Sequence, residues 1–147
     1  MTTETKIFAV IGSLALLVIV GGAFFLTKEN KSILENEIVT RNGLHWHPKL
    51  SIYIKDQKQQ LEEGIGLGAV EMSMHTHKED YKDGVIHLEI PGVVKKSDTR
   101  LGRFFQIWGK DFQRTGEVVK MTVNGQLNTD FENYLMKDGD NIEIRYE

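Results

Sequence analysis

Residues 7–26, IFAVIGSLALLVIVGGAFFL, carry no charged side chain. About 20 apolar residues span the hydrocarbon layer of a bilayer, and an uncharged run of that length is poorly tolerated on a surface facing water. The run therefore predicts a membrane anchor over residues 1–28, and the folded domain has to be built from the residues beyond it. Lys6 with Gly21-Gly22-Ala23 could mark a cleaved signal peptide, but the apolar run continues through Phe24, Phe25 and Leu26, which favours a retained signal anchor. Lys6 stands on one side of the run and Lys28, Lys31 and Arg41 on the other, so charge asymmetry does not set the orientation. A short head before the anchor points to an extracytoplasmic C-terminal domain. Residues 29–42 read as a juxtamembrane linker or stalk.

Composition removes several function classes. The net charge is −3, and beyond Asn30 there are 16 basic and 19 acidic residues, so no basic footprint for nucleic acid is present. The chain has no cysteine, which excludes disulfides, thiolate catalysis, zinc fingers and iron–sulfur ligation.

From Gly43 the hydrophobic period becomes two. LSIYIK puts Leu50, Ile52 and Ile54 on one face, as a half-buried strand does. A turn is expected at Asp56-Gln57, and Gly64, Gly66 and Gly68 mark a loop. VEMSMHTH and GVIHLEI read as strands joined in a hairpin through KEDYKD, and Pro91-Gly92 ends the pair. Leu101, Phe104, Phe105 and Trp108 come next at helical spacing, with Ser97, Asp98 or Thr99 as the cap and Gly109 as the stop. VVKMTVNGQL turns at Asn124-Gly125, DFENYLM suggests one helical turn, and the chain closes through Asp138-Gly139 into alternating Ile142, Ile144 and Tyr146. The expectation for residues 43–147 is an α+β domain of about six strands, a mostly antiparallel or mixed sheet with one amphipathic helix packed on it.

All five histidines lie between His45 and His87, as HWH, HTH and GVIH. Side chains at i and i+2 of a strand share a face, so a His-x-His pair can offer two imidazoles to one ion. Parity puts Trp46, Pro48, Leu50, Ile52 and Ile54 on a core face, leaving His45 and His47 opposite. Met72, Met74 and Thr76 form the apolar face of the next segment, leaving His75 and His77 opposite. Ile86 and Leu88 do the same for His87 and Glu89. Three segments thus place His45, His47, His75, His77 and His87 off their apolar faces as candidate metal ligands. The hairpin brings His75, His77 and His87 together; whether His45 and His47 join them depends on the strand order. Imidazoles without thiolate suit Zn²⁺, Cu²⁺, Ni²⁺ or Fe²⁺, with copper or zinc the default. Glu71, Glu79, Asp80, Asp83 and Glu89 could ligate or orient an imidazole. Solvated strand histidines, or histidines that sense pH, are the alternatives to a metal site.

The order HWHPKLSIYI, HTH, GVIHLE, LGRFFQIWG and VNG resembles a set of prokaryotic proteins with a short membrane anchor, an extracytoplasmic domain and no assigned activity. The likeness spans most of residues 45–125. The C-terminal stretch with its DGD turn resembles the end of small β-grasp domains. These readings together predict an anchored extracytoplasmic domain that binds, delivers or senses copper or zinc through histidine. One alternative is a metal-dependent hydrolase with Glu89 or Glu79 as general base. Another is a metal-free adaptor that binds a protein through a sheet edge or the Trp46 surface.

Overall fold

A computed structural model of the protein describes residues 35–113 and 118–147; the expected anchor at residues 7–26 lies outside them. Among the described residues, no helix is long and apolar enough to cross a membrane. These residues form an α+β domain. Its strands are β1 (Ile38–Thr40), β2 (Leu44–Trp46), β3 (Lys49–Ile54), β4 (Gln57–Gln59), β5 (Met74–His75), β6 (His87–Ile90), β7 (Val94–Lys95), β8 (Val118–Val123), β9 (Gln126–Leu127) and β10 (Asn141–Tyr146). One α-helix, α1 (Leu101–Trp108), lies between β7 and β8. The ten strands exceed the six expected because several are only two or three residues long, too short for an alternating pattern to reveal.

The main sheet is mixed, in the order β4-β3-β10-β8-β9. The last strand, β10, lies at its centre, parallel to β3 and antiparallel to β8. Register sets Ile142 beside Leu50 and Val123, and Ile144 beside Ile52 and Met121. Leu50, Ile52, Met121, Ile142 and Ile144 are all buried in one core cluster. Leu101, Phe104 and Phe105 of α1 join that cluster, and Phe105 meets Phe112 edge-on at 5.0 Å. Each such side chain contributes about 1.5–3 kcal/mol by leaving water. The helix stops where expected, at Gly109 with φ 73°. Its start differs: Arg100 precedes the first turn without a side-chain cap, because residues 96–99 form a 3₁₀ turn of their own. Within it, the Asp98 carboxylate accepts the Lys95 N–H at 2.9 Å.

Three further expectations shift. The β3–β4 turn is Lys55-Asp56, one residue earlier than expected, with both residues left-handed at φ 48° and 63°. Within the segment expected to be linker, β1 pairs antiparallel with β7. VEMSMHTH yields only the two residues of β5. Beyond it the Thr76 hydroxyl donates to Glu62 C=O at 2.8 Å and accepts the Ile65 N–H at 3.0 Å, which draws the chain off the sheet.

The turn entering β10 is a polar hub. Asp140 is 5 % exposed. Its Oδ2 accepts the Tyr134 hydroxyl and the Lys137 N–H, both at 2.8 Å, and its Oδ1 accepts Asn124 Nδ2 at 3.0 Å. Asn124 in turn takes the Asn141 N–H at 2.8 Å, which ties the β8–β9 turn to β10. Burial, then the Asp140 hydrogen bond, raises the Tyr134 pKa well above its ordinary value. Burial likewise raises that of Tyr146, whose hydroxyl has no hydrogen-bond partner among the described residues.

Two outcomes are expected. Asp140→Ala strands three donors and should lower stability by about 2–3 kcal/mol in chemical denaturation; a loss below about 1 kcal/mol would refute the hub's role in holding the turn. Because both phenols are held neutral in the fold, the unfolded chain ionises first as pH rises. Their contribution should be intact below about pH 10 and fall away above it. Tyr146→Phe should flatten that alkaline slope; an unchanged slope would contradict the assignment.

Candidate metal centre

The second sheet, β2-β6-β5, is antiparallel with β6 in the middle. Its apolar face is set by Leu88, which pairs with Trp46 on one side and Met74 on the other. Leu88 and Met74 are fully buried and Trp46 is half-buried against the core. The opposite face then results from the register. His45 lies beside Glu89, and His75 beside His87. His47 and His77 continue these rows just beyond the strand ends. The open point of strand order is resolved, since β6 brings both His-x-His pairs to its own His87.

Backbone links hold the ends. Ile86 N–H donates to Pro48 C=O at 2.9 Å, and Leu50 N–H donates to Gly84 C=O at 2.8 Å. Gly84 has φ 79°, and a Cβ there would stand 2.3 Å from the Leu50 carbonyl oxygen. Only glycine permits that approach, which packs the β5–β6 connection closely against β3. His47 is fixed from a distant part of the chain, its N–H donating to Asp138 Oδ1 at 2.8 Å.

The rings form one continuous group. His87 sits 4.5 Å from His77, 4.8 Å from His47 and 5.7 Å from His75 between centroids, and it stacks on His75 within 9° of parallel. Nε2 atoms are 3.1 Å apart in the His45/His47 pair and 3.2 Å apart in the His75/His77 pair. Two donor groups result, each within 4.8 Å: His75, His77, His87 and Glu89, and His45, His47 and His87. Either group could hold a metal ion.

Two neighbours fix tautomers. His75 Nδ1–H donates to Met72 C=O at 3.0 Å, which directs the Nε2 lone pair at His77. His87 Nε2–H donates to Asp80 Oδ2 at 2.8 Å, which leaves Nδ1 as its donor atom. A carboxylate bound in this way fixes the tautomer and the ring orientation that a ligating imidazole needs. Glu89 Oε1 is 3.0 Å from His45 Nε2 and 4.0 Å from His75 Nε2, so it touches both pairs. Glu71 Oε1 lies 3.5 Å from His75 Nε2.

All five sequence-derived histidines therefore converge. Of the carboxylates named with them, Glu89 joins a donor group, while Asp80 and Glu71 contact imidazoles. Glu79 and Asp83 are exposed and belong to neither donor group. Asp138 was missed, because nothing local in the sequence connects it to His47. His75 is fully buried although it lies off the apolar face, covered by the loop that carries Glu71 and Met72. An open cleft of about 760 Å³, lined by Leu44, His45, Glu71, Met72, Glu89 and Ile90, leads to the cluster. No family model, curated protein or solved structure matches the chain.

Histidine modification read by mass spectrometry should track this burial. His45 and His47 should react first and His75 at least about ten-fold more slowly. Equal rates for His45 and His75 would refute the enclosure of His75.

Proposed function

We propose that this chain is a membrane-anchored, extracytoplasmic domain that binds a transition-metal ion, copper or zinc, through its clustered histidines. The carrying observation is the donor group of His75, His77, His87 and Glu89, with His75 buried and its Nε2 already aimed at His77. Donors about 2.0–2.1 Å from a tetrahedral ion stand about 3.3 Å from one another. The two histidine pairs, at 3.1 and 3.2 Å, have that spacing. Imidazole and carboxylate donors without thiolate suit Zn²⁺ and Cu²⁺.

Holding, delivering or sensing the ion fits better than hydrolysis. Three imidazoles and Glu89 complete a four-donor shell, whereas a hydrolytic ion needs an open position. Glu89 is thereby used as a ligand rather than a base, and Glu79 stands apart from both groups. The length and lack of charge of residues 7–26 support the anchor. The Asp138-Gly139 turn into a central last strand supports the β-grasp likeness of the C-terminal part.

Titration of the full chain with Zn²⁺ and with Cu²⁺ tests the reading. Saturable binding tighter than about micromolar is expected, and its absence for both ions would overturn the proposal. The double variant His75→Ala, His77→Ala should weaken binding by about 100-fold or more; unchanged affinity and stoichiometry would refute this ligand set.

A further inference from the structure

The two donor groups overlap at a single residue. Resting on the metal-binding reading above, we infer that they are successive stations for one ion, with the outer pair loading it and the inner pair retaining it.

His87 belongs to both groups, and its Nε2–H is engaged by Asp80 at 2.8 Å. One nitrogen lone pair is left, and one lone pair serves one ion. Full occupation of one group therefore removes the shared ligand from the other. Glu89 doubles the link, since the same Oε1 lies 3.0 Å from His45 Nε2 and 4.0 Å from His75 Nε2. An ion moving inward can exchange ligands one at a time without passing through an uncoordinated state.

Exposure gives the path a direction. Side-chain exposure falls from 60 % at His45 and 44 % at His47 to 13 % at His87 and none at His75. The outer pair faces water beside the cleft, where Glu71 and Glu89 supply negative charge that draws a cation. The inner pair has one ring locked by Met72 and packed against His87. An exposed pair captures quickly but binds loosely, because its rings remain largely open to water. A pair with one ring buried and oriented, as His75 is beside the half-buried His77, binds more tightly but is slower to reach from water. The outer pair thus governs the rate and the inner pair the affinity.

The test is Zn²⁺ loading of the full chain followed by stopped flow, with release driven by a chelator and stoichiometry from equilibrium titration. The wild type should bind one ion. His45→Ala with His47→Ala should leave the dissociation constant within about three-fold but slow loading by about ten-fold or more. Chelator-driven release must then slow by a similar factor, because the equilibrium constant is their ratio. Circular dichroism should be unchanged, since both residues are exposed. Two ions per wild-type chain would overturn the relay in favour of separate sites. An unchanged loading rate in the outer-pair variant would overturn it too, as would an affinity loss beyond ten-fold, which would make His45 and His47 ligands of the final site. Absence of wild-type binding would instead overturn the metal reading on which the relay rests.

Discussion

Everything at the histidine cluster depends on the register of β6 between β2 and β5. Leu88 stands between Trp46 and Met74 in one cross-strand row, and Ile86 beside it is fully buried. A slip by one residue would expose Leu88 and drive His87 and Glu89 into the core, because strand side chains alternate between faces. Burying those polar groups unpaired and losing the apolar contacts would cost several kcal/mol together. The core therefore aligns the imidazoles indirectly. No histidine has to attract another for the group to assemble, and packing on one face dictates the arrangement on the other.

The DGD turn connects this cluster to the main sheet. Asp140 gathers Tyr134, Lys137 and Asn124 at the entry to β10, while Asp138, two residues earlier, takes the His47 N–H. Lys49 N–H donates to the Asp140 carbonyl at 2.7 Å, so the first residue of β3 is held by the same turn. The outer end of the HWH segment is thus fastened between two sheets. A short strand such as β2, with three residues, gains from the turn a rigidity that its own ladder could not supply.

Much of this was legible in the sequence, and the limits are physical. Parity is a local property of a strand, so Leu88, Trp46 and Met74 revealed which way all five histidines point. The helix stripe at Leu101, Phe104 and Phe105 was legible for the same reason, being local and periodic. Strand order is not local: nothing near His45 announces that Glu89 will lie beside it. Asp138 illustrates the same limit, since its partner is 91 positions away. Parity also failed to foresee the burial of His75. That residue is covered by an irregular loop whose path is set by Gly66 and the Thr76 hydroxyl rather than by any hydrophobic period. None of Ser97, Asp98 and Thr99 caps the helix, because they belong to a 3₁₀ turn just upstream, where the Asp98 carboxylate accepts the Lys95 N–H.

The small sheet also bears on why donors come from three strands rather than from one. β2, β5 and β6 have three, two and four residues, and isolated pairings this short are marginal in water. Ligands confined to a single His-x-His segment would bind an ion without joining anything to anything else. Ligands drawn from β5 and β6, with β2 alongside, would make the ion a cross-link between strands that are far apart in the chain. An ion that binds the folded state and not the unfolded one stabilises it by an amount set by its concentration relative to its dissociation constant. For this sheet that gain would fall where the backbone ladder is weakest. The geometry that orients the donors is thus the geometry that a bound ion would reinforce, so binding and local folding would be coupled through the same three strands.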